Sequence, residues 1–175
     1  MRTVVLGLGN DYAGDDAVGV LAARALQGQL AGAADVAETA ASGLALLEDL
    51  AGYDRAIVID AILTGRYPPG SIIELSLTEL GPVAAPSLHQ AGMPELAAFA
   101  GRLGLKFPSQ LKVLAVEVAS PPVFGAPLSE AVSTAIGPIG ELVRAQLERW
   151  TAEDALKETD ILVELEQGPC TTTTP

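Results

Sequence analysis

The run Val4-Val5-Leu6-Gly7-Leu8-Gly9, with the turn Asn10-Asp11-Tyr12-Ala13-Gly14-Asp15-Asp16 behind it, constrains the fold more than any other part of the chain. A short apolar run closed by glycines suits a strand covered on both faces, as in a parallel sheet. Val18, Leu21, Ala22, Ala25 and Leu26 then recur at helical spacing, so the predicted order is strand, glycine turn, helix. A dinucleotide-binding fingerprint would need a third glycine where Tyr12 stands, and its pyrophosphate would meet Asp15 and Asp16. Two carboxylates repel a phosphate there. Aspartate also favours the positive end of a helix, so capping competes with chemistry at both positions.

The remaining elements alternate. Asp35 to Thr39 reads as a short strand, and Ser42 caps a helix whose apolar face is Leu44, Leu46, Leu47 and Leu50. Arg55 to Ile62 is a β-branched strand interrupted by one carboxylate, Asp60. Burying that charge is costly unless it is paired, hydrogen-bonded or bound to metal, and the carboxyl ends of strands in open α/β sheets are where ligands collect. An Asx turn at the strand end is the competing reading. Ser71 to Leu77 and Leu111 to Val118 are further strands, and Glu117 within the latter reads as an edge or loop-facing residue. Helices are predicted from about Pro94 to Leu103 and from about Ser129 to Trp150, with Pro138 bending the second. The expected fold is α/β: a single-domain three-layer sandwich over residues 1–150, with a mainly parallel twisted sheet of about five strands and helices on both faces. Residues 151–175 read as an acidic, flexible C-terminal tail.

A formal charge of −12 argues against nucleic acid and anionic membranes as partners. No apolar run reaches the roughly 18 residues of a membrane span, and Met1-Arg2 leads straight into the first strand, so a cytoplasmic protein is expected. Cys170, the only cysteine, excludes an intramolecular disulfide and a thiolate metal cluster. His89, the only histidine, stands just before a predicted helix, where capping or a surface position is its ordinary role. No nucleophile elbow of the glycine-x-serine-x-glycine type occurs.

Taken in order, these pieces resemble the hydrogenase maturation endopeptidases, which remove a C-terminal peptide from the large subunit of nickel-iron hydrogenases. The matching segments are Leu6-Gly7-Leu8-Gly9-Asn10 with Gly14-Asp15-Asp16-Ala17-Val18-Gly19, Ser42-Gly43, Ile59-Asp60-Ala61, Ser87-Leu88-His89-Gln90-Ala91-Gly92, and the Glu117 strand before the proline-containing last helix. The resemblance implies that Asp16, Asp60 and His89 bind metal and carry catalysis, with Gly7, Gly9, Asn10 and Asp15 as the supporting turn. Where relatives commonly carry an aspartate-glycine-glycine-threonine-like turn, this chain has Glu38-Thr39-Ala40-Ala41, so an accessory role there falls to Glu38 with its longer side chain. Two carboxylates and an imidazole suit a divalent first-row ion and leave positions open for substrate or water. Such an ion polarises a scissile carbonyl without a serine or cysteine nucleophile. The resemblance further implies that the ion is nickel carried by the substrate, with no organic cofactor, and that the partner is a nickel-loaded large-subunit precursor. A small-ligand-binding α/β module and a metallopeptidase with resident zinc are the alternatives.

Overall fold

The computed structural model describes residues 1–76, 79 and 93–166, with side chains described as far as residue 157. The chain divides into two compact units, Met1–Val143 and Arg144–Pro175. Five strands form one sheet: β1 (Thr3–Leu8), β2 (Asp35–Thr39), β3 (Arg55–Ile62), β4 (Ile72–Ser76) and β5 (Gln110–Glu117). The helices are α1 (Val18–Leu26), α2 (Leu46–Leu50), α3 (Met93–Arg102), α4 (Glu130–Ser133) and α5 (Ile136–Glu166), and short 3₁₀ turns, Gly14–Ala17 and Gly43–Ala45, lead into α1 and α2.

The sheet order is β2-β1-β3-β5-β4. β1 is parallel to β2 and β3, and β3 is parallel to β5, while the edge strand β4 runs antiparallel to β5. β1 and β3 are buried along their whole length, as strands covered on both faces must be. Alternation divides their side chains between two layers. Val4, Leu6, Leu8, Ala56 and Val58 pack with Leu46 and Leu50 of α2 and Met93 and Leu96 of α3. On the opposite face, a Cβ placed on Gly7 would come within 2.2 Å of Gly19 O and 2.6 Å of Ala23 Cβ, so α1 lies directly against β1. The helices on both faces match the expectation from sequence.

Two helical boundaries differ from that expectation. Pro138 falls in the first turn of α5, and the chain breaks between α4 and α5 where a single bent helix was predicted. Proline lacks the N–H that would bond the carbonyl four residues back, and its ring clashes there. The break therefore falls at Thr134–Ala135, upstream of the proline, and a first-turn proline suits the start of α5. At the other end, α5 continues past Trp150 to Glu166. Residues 151–166 contain neither glycine nor proline, so nothing local stops propagation before Gly168-Pro169. Residues 167–175, Cys170 among them, lie outside the described residues. Among the described residues, no helix is long and apolar enough to cross a membrane.

Candidate active site at the carboxyl edge of the sheet

The order β2-β1-β3 means that the chain leaves β1 for one side and later returns to the other, a topological switch point. In open α/β sheets the crevice for a ligand lies there, beyond the strand carboxyl ends. Asp16 follows β1 on the Gly14–Ala17 turn, and Asp60 lies near the carboxyl end of β3. The 3₁₀ turn packs on β3, and a Cβ on Gly19 would fall 2.3 Å from both Leu8 O and Ile59 O, so the start of α1 is seated across the ends of these two strands. The fold thus brings Asp16 and Asp60 to one edge although 44 residues separate them in sequence.

The glycines of the turn serve close packing. Gly9 has φ 137°, and a Cβ there would lie 1.9 Å from Asp16 O. The amide that a phosphate would seek is already taken, because Asn10 N donates to Asp16 Oδ2 at 2.9 Å. Asn10 closes its own turn, its Oδ1 accepting from Tyr12 N at 3.0 Å. Simple capping does not describe the aspartate pair either. The N-cap position of the 3₁₀ turn is Ala13, without a side-chain bond, and Asp15 Oδ1 accepts from Ser129 N at 2.7 Å. Asp15 therefore ties the first turn to the N-terminus of α4. Ser42, expected as a cap, occupies that position but makes no capping bond through its side chain.

Asp60 is 0% exposed, and its Oδ1 accepts from Ala61 N at 2.8 Å. Glu38 lines a cleft of about 330 Å³ between the β1 and β2 loops, together with Asp11. There Arg24 Nη2 bridges Asp11 Oδ2 at 2.8 Å and Glu38 Oε2 at 2.6 Å. The hydrogen bonds that Arg24 donates, first to Asp11 and then to Glu38, push its guanidinium pKa still higher than usual. His89 lies outside the described residues, and among the described residues no group of three acidic, cysteine or histidine side chains is placed to hold a metal ion.

Glu117 faces a loop, as the sequence reading allows, but it is fully buried rather than at an exposed edge. It is 0% exposed; Oε1 accepts from Thr64 N and Gly65 N at 2.7 Å each, and Oε2 from Thr64 Oγ1 at 2.5 Å. A carboxylate at the end of β5 thereby fastens the loop that leaves β3 just past Asp60. The signal is present in the sequence as a carboxylate closing an otherwise apolar stretch, Val113–Val116, but the three donors come from more than 50 residues away. Glu117→Ala is expected to strand these donors and to cost about 3 kcal/mol or more. Hydrogen exchange should then report loss of protection at Thr64 and Gly65 before the rest of the sheet opens; unchanged protection would contradict the anchoring role.

A model of the hydrogenase maturation protease family matches residues 20–146. The Escherichia coli K12 hydrogenase 2 maturation protease is 30% identical over 164 residues, covering 90% of this chain and 98% of the relative. The solved E. coli hydrogenase maturating endopeptidase HybD superposes with a TM-score of 0.72 at 30% identity, over 85% of this chain and 93% of that one. The [NiFe] hydrogenase maturation protease HybD of Thermococcus kodakarensis shares the fold, with a TM-score of 0.65 at 22% identity, over 84% of this chain and 99% of that one.

Proposed function

Because this chain belongs to the hydrogenase maturation protease family, we propose that it is the endopeptidase that removes the C-terminal extension of a nickel-loaded [NiFe]-hydrogenase large-subunit precursor in the cytoplasm. The observation that carries this reading is the pair of carboxylates, Asp16 and Asp60, set over the β1/β3 switch point. Their donor set fits a borderline first-row ion, and His89 completes it as the imidazole. The nickel belongs to the substrate; when the loaded precursor is bound it supplies Lewis acidity toward the scissile carbonyl.

The chain's own part is to hold and orient. Asn10 N–H donates to Asp16 and Ala61 N–H to Asp60, the kind of support that keeps a ligand in place before its partner arrives. Asp15 and Glu117 hold the neighbouring loops through Ser129 and Thr64. Arg24 keeps Glu38 engaged, so an accessory role for Glu38 requires that ion pair to open.

The test is processing of a purified large-subunit precursor followed by intact mass. With nickel-loaded precursor, the mass is expected to fall by that of a C-terminal peptide. Without nickel, the precursor should stay intact. Rapid cleavage of the metal-free precursor would refute the substrate-borne metal, and a stoichiometric ion held tightly by the purified protease would favour resident zinc instead.

A further inference from the structure

Resting on the reading that the substrate is a large-subunit precursor protein, we propose that the loops at the carboxyl edge of the sheet are its docking surface, with Tyr12 and Phe124 as anchors for an apolar, basic-fringed patch on the precursor. Each of the four parallel strands is followed by a loop that exposes a large apolar side chain: Tyr12 after β1, Leu44 after β2, Leu63 and Tyr67 after β3, and Val123 and Phe124 after β5. Parallel strands share a direction, so these loops all leave the sheet at the edge that carries Asp16 and Asp60. Tyr12 is 70% exposed and Phe124 78%, yet their rings stack at 6.1 Å between centroids with 30° between planes. Such a pair left in water marks a surface that another protein covers.

The surface is assembled in advance. Gly125 N donates to Tyr12 O at 2.7 Å, and Asp15 takes Ser129 N. A Cβ on Gly14 would touch Ala126 Cβ at 3.3 Å, and one on Gly70 would lie 2.2 Å from Ala131 O. The loops after β1, β3 and β5 are thus joined through one another, which lowers the ordering cost of binding and favours aromatic anchors as hot spots.

Charge decides the occupant. Tyr12 shares a cleft with Asp11, Glu38 and Arg24, Asp16 holds Asn10 of the same turn, and Asp15 reaches across to Ser129, next to Glu130; the same loops carry five carboxylates against Arg24 and Arg66. A second copy of this chain would bring another −12 against the first, which disfavours self-association. A protein with lysine or arginine around an apolar patch complements both features.

The experiment compares the wild type, the double variant Tyr12→Ser/Phe124→Ser, and Phe99→Ser on α3 as a control for an exposed aromatic residue elsewhere. Initial rates of processing are measured across concentrations of purified nickel-loaded precursor, with light scattering of each protease alone. The double variant is expected to raise KM about tenfold, as loss of aromatic hot spots does. Its kcat should stay within about twofold, because the anchors do not touch the scissile bond. Phe99→Ser should match the wild type. An unchanged KM in the double variant, beside a wild type that cleaves, overturns the docking surface alone. A wild-type dimer that the double variant converts to monomer at unchanged KM assigns the patch to self-association and likewise overturns it. A wild type that leaves the precursor intact overturns the functional reading and this inference together.

Discussion

Replacing Asp60 by alanine is expected to lower precursor processing by about a thousandfold or more, the scale on which removing one transition-state contact acts. Asp16→Ala and His89→Ala are expected to do the same. The physical ground is that each carboxylate is already oriented by a backbone amide, Ala61 N on Asp60 and Asn10 N on Asp16, so removal deletes a prepared donor. Asp60→Asn separates chemistry from folding. The amide keeps an acceptor for Ala61 N and nearly the same volume, while the charge that recognises a cation is gone. Its melting temperature, measured in chelator, should equal or exceed that of the parent, since a 0% exposed carboxylate costs more to bury than an amide. Processing should nonetheless be lost. Wild-type processing by Asp60→Asn would remove this residue from the mechanism, and a collapsed melting temperature would assign it to the fold.

The second large effect belongs to a residue with no side chain. Gly19→Ala is expected to cost about 3 kcal/mol or more, at the upper end of overpacking. For a chain of this size that corresponds to a fall of about 6–12 °C in Tm. The added Cβ would lie 2.3 Å from Leu8 O, 2.3 Å from Ile59 O and 2.9 Å from Leu8 N, all of them backbone atoms near the carboxyl ends of β1 and β3 that cannot rotate away. α1 must then lift from β1 and β3, and the turn bearing Asp16 lifts with it. Processing should therefore fall together with stability. Gly101→Ala in α3 is the control: nothing lies within 4 Å of its Cβ position, so alanine should be neutral or stabilise by up to about 1 kcal/mol. Equal melting temperatures for Gly19→Ala and the parent would show that the helix does not bear on the strand ends as described.

Much of the site's framework was readable from one dimension. β2 and β3 span the predicted residues, Asp35–Thr39 and Arg55–Ile62, and for β3 the β-branched, apolar run leaves little choice. The charge on Asp60 was conspicuous for the same reason. Glu117 is equally conspicuous, but a carboxylate closing a strand looks the same in sequence whether it lies exposed at the sheet edge or is buried and gathers three donors from a neighbouring loop. Its meaning depends on Thr64 and Gly65, which reach it only once β3 and β5 pair. Pro138 shows a milder form of the problem: the sequence marks the disruption, but the direction in which it falls comes from the carbonyl four residues behind the proline.

By itself the sequence determined where the strands form and where most helices begin, that the first turn is acidic and unsuited to phosphate, and that the protein carries a strong negative charge. These follow from local periodicity, turn chemistry and composition, which act over a few residues or over the chain as a sum. Only the tertiary structure decided that β3 lies beside β1, that Gly7, Gly9 and Gly19 are spaces reserved for neighbouring backbone, and that Asp16 and Asp60 share one edge. Strand order is set by which faces bury one another best across long connections, an energy of pairs distant in sequence that no short window of residues contains.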